Sequence, residues 1–75
     1  MKPVLYIVIP CYNEEKVLPI TAPLFRSKIL ELVTAEKISS NSRVLFVNDG
    51  SKDKTWQIIT ALSQENSAFC GVSLS

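Results

Sequence analysis

Histidine is absent from this 75-residue sequence, and glycine and cysteine are scarce, with two residues of each. Without histidine the chain can form neither a Ser-His nucleophile pair nor a site with the commonest zinc ligand. The two glycines form neither a G-x-G-x-x-G pattern nor a lysine-bearing glycine loop, which excludes both common glycine-rich phosphate motifs. Cys11 and Cys70 lack the spacing of a disulfide framework, so we expect two reduced thiols.

The sequence also lacks an excess of charge and any long apolar segment. The net charge is +1, and the lysines and arginines are scattered, so no surface for nucleic acid is predicted. The apolar run Val4–Ile9 follows Lys2 as in a signal peptide, but it is far shorter than the ~20 residues of a membrane span. A hydrophobic content of 47% is typical of a folded chain, and we expect one small soluble domain.

Three short apolar segments predict β-strands, at Val4–Ile9, Arg43–Val47 and Phe69–Leu74. The first is an unbroken run, which is typical of a parallel strand buried on both faces, and we expect Pro10 to end it. The second runs into Asn48–Ser51, a strong turn signal.

Two amphipathic segments predict helices between these strands. Apolar residues at helical spacing mark the inner face of the first: Phe25, Ile29, Leu32 and Val33. Because Pro19 and Pro23 do not both fit inside a helix, we expect an irregular segment, then a regular helix from about Pro23, then a polar loop at 38–42. The second helix is predicted to begin near Asp53, a purely structural N-cap. The residues predicted to face the sheet from it are Trp56, Ile59 and Leu62. This alternation favours a parallel sheet with right-handed crossovers.

Polar segments follow the first two predicted strands, at 10–15 and 48–53. In parallel α/β sheets ligands bind at the carboxyl ends of the strands, so we expect both segments to border one crevice. There Tyr12 can stack on a nucleobase while the carboxylate of Asp49 accepts hydrogen bonds from ring N–H groups. Singly, each residue also fits a structural role, such as a helix cap or a turn. The residues alone therefore predict a small-molecule site, and a nucleotide is one ligand that would fit it.

A calcium-binding interpretation of the second segment is excluded. Lys54 stands where a calcium loop requires glycine, and Thr60 stands where it requires a bidentate glutamate.

Residues 7–19 (IVIPCYNEEKVLP) and 47–55 (VNDGSKDKT) together resemble family 2 glycosyltransferases. Within that family the resemblance is closest to the polyprenyl-phosphate (dolichyl-phosphate-type) sugar synthases, and Gly71–Ser75 resembles the family's third strand. The resemblance implies that residues 1–75 are a partial domain, the N-terminal β-α-β-α-β portion of an α/β GT-A fold with a parallel sheet. It also implies which residues line the pocket for the base and ribose: Pro10, Tyr12, Glu14, Val47 and Asp49. Asn48 replaces an aspartate that is frequent in the family, which affects the expected sugar nucleotide more than base binding.

By the same resemblance, the whole protein is expected to transfer a sugar from a UDP- or GDP-sugar to a polyprenyl phosphate or a glycan. The family's motif for a divalent metal (Mg or Mn), its acceptor-activating carboxylate and its membrane segments all come later in the family's sequence. We therefore assign no catalytic and no metal-binding residue within 1–75, and we expect no turnover from this chain alone. The resemblance implies a location on the cytoplasmic side, with membrane association through segments outside this chain.

Two further expectations concern partners. A GT-A sheet continues past its third strand, so we expect an uncovered edge and self-association as a dimer or higher oligomer. The alternative to a transferase is a non-catalytic nucleotide-binding or interaction module built on the same α/β unit.

Overall fold

The computed structural model describes residues 2–74, so Met1 and Ser75, the two ends of the predicted domain, lie outside the described residues. Its strands are β1 (Tyr6–Cys11), β2 (Arg43–Asn48) and β3 (Phe69–Ser73), and its helices are α1 (Leu18–Thr34) and α2 (Thr55–Glu65). The strands form one parallel sheet in the order β1-β2-β3. The predicted β-α-β-α-β order and parallel sheet are confirmed.

Both helices cover the same face of the sheet, because right-handed crossovers between successive neighbouring strands place each helix on one side. On that face Cys11, Val44, Phe46 and Phe69 are buried and Ile7 and Ile9 are partly buried, and the rings of Phe46 and Phe69 lie 5.6 Å apart. The buried apolar core comprises Cys11, Leu18, Ala22, Ile29, Ile38, Val44, Phe46, Ile59 and Phe69. The result is a two-layer structure with a single core between sheet and helices.

The opposite face of the sheet is open, and the prediction that β1 is buried on both faces is wrong. Tyr6 and Val8 point away from the helices and remain 51% and 56% exposed. The unbroken apolar run arises because β1 is apolar on its open face as well as on its covered face.

The prediction that Pro10 ends the first strand is wrong, because Pro10 lies within β1. It is the register partner of Val47, and β1 continues to Cys11, whose carbonyl accepts the N–H of Asp49 at 2.9 Å. Proline fits here because β1 is an edge strand, and alternate residues of an edge strand direct their backbone groups away from the neighbouring strand. The missing N–H of Pro10 would have faced outward.

The first helix begins at Leu18 rather than near Pro23, so the predicted irregular segment before Pro23 is wrong. Pro19 lies in the first turn, where its missing N–H has no intrahelical acceptor, and Pro23 lies inside the helix. Leu18 and Ala22 are both buried in the core. Burial of the Leu18 side chain, worth about 1.5–3 kcal/mol, offsets much of the cost of an interior proline, about 3 kcal/mol.

The second helix begins at Thr55, two residues after Asp53, and packs closely on the sheet. Ile59 is buried as predicted, whereas Trp56 lies at the edge of the covered face and is partly exposed. A Cβ on Gly71 would stand 2.3 Å from Cγ2 of Ile59 and 3.5 Å from Cζ3 of Trp56. Glycine at position 71 therefore permits the close approach of α2 to β3.

The predicted polar loop at 38–42 has two buried ends. Ile38 is part of the core, and Ser42 is buried with its hydroxyl accepting the N–H of Leu5 at 2.9 Å. This loop joins the chain before β1 to the start of β2.

Candidate functional site

Two loops meet at the carboxyl ends of neighbouring strands. We call residues 12–17, which follow β1, the first loop, and residues 49–54, which follow β2, the second loop. The last register pair of these strands is Cys11 with Asn48, so the two loops leave the sheet side by side. The N–H of Asp49 then donates to the carbonyl of Cys11 at 2.9 Å and extends the pairing into the second loop.

The sequence-predicted site residues fall into two groups. Pro10 and Val47 are register partners on the open face of the sheet. Glu14 lies half-buried in the first loop, and Tyr12 and Asp49 lie just beyond the strand ends, where Tyr12 is 54% exposed. The structure thus places all five residues around the carboxyl ends of β1 and β2.

The carboxylate of Glu14 lies near the thiol of Cys11 at the end of β1. Burial raises the pKa of Cys11, and the negative charge of Glu14 raises that pKa further. Cys11 is therefore held as a neutral thiol beneath the loops, where it is part of the core. Cys70 is also a free thiol, which confirms that the cysteines are unpaired.

Asn13 bridges the two loops with both its backbone and its side chain. Its N–H donates to Oγ of Ser51 at 3.0 Å, and its Oδ1 accepts the N–H of Lys52 at 2.8 Å. The residue has a φ of 52°, in the left-handed region that asparagine tolerates better than most side chains. Asn13 therefore does not cap the following helix, which begins at Leu18 without a side-chain cap.

The next two amides of the first loop also donate to side chains near the second. The N–H of Glu14 donates to Oγ1 of Thr55 at 2.7 Å, and that of Glu15 donates to Oδ2 of Asp53 at 3.3 Å. Oδ1 of Asp53 accepts the N–H of Thr55 at 2.9 Å as well as the Thr55 hydroxyl. The N-cap of α2 is therefore Lys54 and not Asp53 as predicted, but the carboxylate of Asp53 accepts the N–H of Thr55, the first residue of the helix, and also holds the first loop.

These contacts change the titration of Asp53. Desolvation raises the pKa of its carboxyl, but the hydrogen bonds from Thr55 and Glu15 outweigh that effect and leave the pKa below its ordinary value. The ionised carboxylate is therefore the form that the loops stabilise.

Asn48 links the second loop to the third strand. Its side chain is only 3% exposed; Oδ1 accepts the N–H of Ser51 at 3.3 Å, and Nδ2 donates to Oγ of Ser73 at 3.1 Å. The Asn48 amide therefore both accepts and donates a hydrogen bond. An aspartate at this position could not donate to Ser73 and would need the Ser73 hydroxyl to donate to it. Gly50, with a φ of 69°, allows the turn between these bonds.

The residues that bind the loops together were the ones that sequence reasoning missed. The sequence predicts a turn that includes Ser51, and it indicates no contact between the loops for Asn13 or Thr55. Their side chains act on residues 38 to 41 positions away, and neither periodicity nor turn propensity reports on such distant pairs. A usable signal was the density of short polar side chains at 48–55, since these satisfy backbone groups locally and across loops.

The groups that the two loops leave available for a ligand are mainly hydrogen-bond acceptors. Backbone N–H groups of both loops largely donate within the protein: those of Asn13, Glu14, Glu15, Val17, Asp49, Ser51 and Lys52. The first loop carries Tyr12 and the carboxylate of Glu14, and the second loop carries the carboxylate of Asp49 and the exposed Lys52 and Lys54. Such a set suits a ligand with several N–H or O–H donors and a flat ring.

Two expected features of the whole protein have no counterpart in the part of the chain described. Within residues 2–74, no group of three or more His, Cys, Asp or Glu side chains is arranged to hold a metal ion. In the same range, neither helix is long and apolar enough to cross a membrane.

Comparison with known proteins gives the family. The sequence profile described as glycosyl transferase family 2 matches residues 6–74. An uncharacterized glycosyltransferase of Bacillus subtilis, YkoT, is 40% identical over 74 residues, which are 99% of this chain and 22% of that protein. An uncharacterized glycosyltransferase of Synechocystis is 44% identical over 71 residues, 95% of this chain and 20% of that protein. The chain thus spans about a fifth of the length of these relatives. With the α/β fold and the paired loops at its strand ends, the chain belongs to glycosyl transferase family 2.

Proposed function

We propose that this chain is the nucleotide-binding part of a glycosyltransferase that uses a UDP- or GDP-sugar, and that the crevice between the two loops binds the base and ribose. The observation that supports the proposal is the joining of two polar loops at neighbouring strand ends, which carry Tyr12, Glu14 and Asp49. A base offers a π-face to the tyrosine ring and N–H donors to a carboxylate. Ribose hydroxyls supply further donors for the remaining acceptor.

The family match and the relatives' names support the transferase part of the proposal, and the acceptor and location rest on the resemblance of residues 7–19 and 47–55 to the polyprenyl-phosphate sugar synthases. We propose an acceptor that is a polyprenyl phosphate or a glycan, reached from the cytoplasmic side by a membrane-associated whole protein. Transfer must neutralise the charge that develops on the departing nucleoside diphosphate and must deprotonate the acceptor. We assign neither role, nor the expected Mg²⁺ or Mn²⁺, to a residue of this chain.

Nucleotide titration of the ¹⁵N-labelled chain tests the binding site. We expect UDP or GDP to bind in the millimolar range, about −4 kcal/mol, with shifts confined to residues 9–15 and 46–51. Asp49→Ala should abolish these shifts, because it removes the carboxylate that accepts hydrogen bonds from the N–H groups of the base. Glu65→Ala, which removes an exposed carboxylate at the far end of α2, should leave them unchanged. Shifts scattered away from the two segments would contradict the assignment.

An activity assay tests whether this chain alone carries out catalysis. Because no base and no metal site are assigned here, we expect the 75-residue chain to show no sugar transfer and no metal-dependent hydrolysis of a UDP- or GDP-sugar. Either activity, in material free of host transferases, would show that the active site has been misplaced.

A further inference from the structure

Three consecutive backbone amides of the first loop are bound by side chains from or next to the second. The N–H groups of Asn13, Glu14 and Glu15 donate to side-chain oxygens of Ser51, Thr55 and Asp53, respectively. The partners lie 38 or 41 positions apart in sequence. Together with the bond from Lys52 to Asn13, these contacts form what we call the loop clasp: Asn13, Glu14, Glu15, Ser51, Lys52, Asp53 and Thr55.

Within the clasp, Asn13 has a left-handed backbone conformation that is unfavourable without stabilising contacts. A φ of 52° is uncommon for a residue other than glycine, and it costs of order 1 kcal/mol unless the surroundings compensate. Here its N–H and its Oδ1 are both bonded to the second loop. The left-handed turn at Asn13 fixes the direction of the backbone on either side, which includes Tyr12 and Glu14.

Thr55 is the buried end of the clasp. Its side chain is fully buried, and its hydroxyl accepts the N–H of Glu14 while donating to the carboxylate of Asp53. A hydroxyl is needed because it accepts and donates at once, which neither an apolar side chain nor a carboxylate does. No buried side-chain N or O atom in the described chain lacks a hydrogen-bond partner, so the buried hydroxyl of Thr55 is fully used within the clasp.

We infer that Asn13 and Thr55 are positioning residues for nucleotide binding, which rests on the function proposed above. Neither is assigned to touch the ligand. They hold Tyr12 and Glu14 beside Asp49 before the nucleotide arrives, so that binding does not have to order the first loop. Preorganisation of this kind raises affinity by removing the entropy cost of loop ordering.

The test compares each residue with a conservative variant in the 75-residue chain. Thr55→Val keeps the shape but removes the hydroxyl, whereas Thr55→Ser keeps the hydroxyl. Asn13→Ala removes the side-chain acceptor, whereas Asn13→Asp keeps it and tolerates the left-handed conformation. Asn66→Ala is the matched control, because Oδ1 of Asn66 also accepts a backbone N–H, that of Ala68 at 2.8 Å, but at the opposite end of the sheet.

Three quantities are measured for each variant: the melting temperature, the amide exchange rates of residues 13–15, and the dissociation constant for UDP or GDP. At a temperature where every variant is folded, Thr55→Val and Asn13→Ala should weaken nucleotide binding and speed exchange by about tenfold, because each removes one hydrogen bond that ties the first loop. Thr55→Val also removes the bond from the Thr55 hydroxyl to Asp53. Thr55→Ser and Asn13→Asp should stay within about twofold of the unaltered chain. Asn66→Ala should lower the melting temperature without changing the affinity.

Unchanged affinity in folded Thr55→Val and Asn13→Ala would overturn the inference, and so would a loss that Thr55→Ser does not restore. If the unaltered chain binds neither nucleotide, the proposed function fails and the role in nucleotide binding fails with it, while the exchange rates still decide whether Asn13 and Thr55 order the first loop. Protection of residues 13–15 that is lost in Thr55→Val and kept in Thr55→Ser then supports the clasp, and equal exchange in both variants refutes it.

Discussion

Asp53 shows how one side chain serves both a helix and a loop. Its carboxylate accepts hydrogen bonds from Thr55, at the start of α2, and from Glu15 in the first loop. The sequence predicted a structural role for Asp53 near the start of α2. Both of these bonds are structural, because they join groups within the protein. The long-range bond to Glu15 was not predictable, because nothing in the residues around Asp53 indicates which distant amide it will meet.

Acid should weaken these bonds. Because the pKa of Asp53 is lowered by folding, its contribution to stability is complete above the unfolded-chain pKa of about 3.9 and is lost as the pH falls through the lower folded value. We expect Asp53→Asn to be less stable than the unaltered chain at neutral pH, with the difference shrinking below pH ~4. Denaturant unfolding from pH 6 to 2 measures this, and comparing the two proteins at each pH cancels the other carboxyl groups. A difference that is constant with pH would contradict the prediction.

Gly71 lacks a side chain and thereby leaves room for Ile59 of α2 to pack against β3. An added methyl group would stand 2.3 Å from Cγ2 of Ile59, a buried and rotationally restricted β-branched side chain. We expect Gly71→Ala to destabilise the chain by about 1–3 kcal/mol, because α2 must shift away from β3. In an Ile59→Leu background, which lacks the methyl branch at Cβ, the same change should cost less. Equal losses in both backgrounds, measured by chemical denaturation, would show that the contact does not limit packing.

At the scale of elements, the sequence predicted which segments form strands and helices but not all of their ends. The end of β1 depends on Pro10 occupying an edge strand, and the start of α1 depends on whether Leu18 and Ala22 reach the core. Both are outcomes of tertiary packing, which overrides the local preference of proline. For the site, paired polar segments after successive strands were sufficient to predict its position, because parallel strands carry their carboxyl ends to one edge. The hydrogen bonds that join those segments depend on side-chain contacts between distant residues.

Pro23 provides a test of this override. Inside α1 it removes the hydrogen bond that an N–H at position 23 would donate to the carbonyl of Pro19, whereas Pro19 itself lies in the first turn. We expect Pro23→Ala to raise the free energy of unfolding by about 1–3 kcal/mol, after allowing for the greater freedom that alanine gives the unfolded chain. Pro19→Ala, the matched control, should change it by less than about 1 kcal/mol. Urea unfolding of the three proteins decides the matter, and a destabilising Pro23→Ala would show that the ring packs favourably where it lies.

At the scale of the whole molecule, the open face of the sheet is the least expected feature. Apart from Arg43, the register partner of Tyr6, its residues are mainly apolar on all three strands: Tyr6, Val8, Leu45, Val47, Cys70 and Val72. The same face carries Pro10 and Val47, so it continues to the proposed nucleotide crevice. In the described residues, β1 and β3 are both edge strands, and their outward backbone groups are free to pair.

Self-association is the last prediction, and the open face gives it a specific route. A core this small rarely contributes more than ~3–5 kcal/mol, so covering an apolar face with a second copy is favourable, and a two-fold dimer is the simplest closed arrangement. We expect a dimer or higher oligomer in sedimentation at micromolar concentration. Val8→Lys places a charge at the centre of the open face and should shift the chain towards monomer. Ile20→Lys is the matched control, because Ile20 is also exposed, at 69%, but lies on the outer side of α1. A sharp 8.3 kDa monomer with cooperative unfolding would contradict self-association. Dissociation by Ile20→Lys but not by Val8→Lys would instead place the contact on the helix.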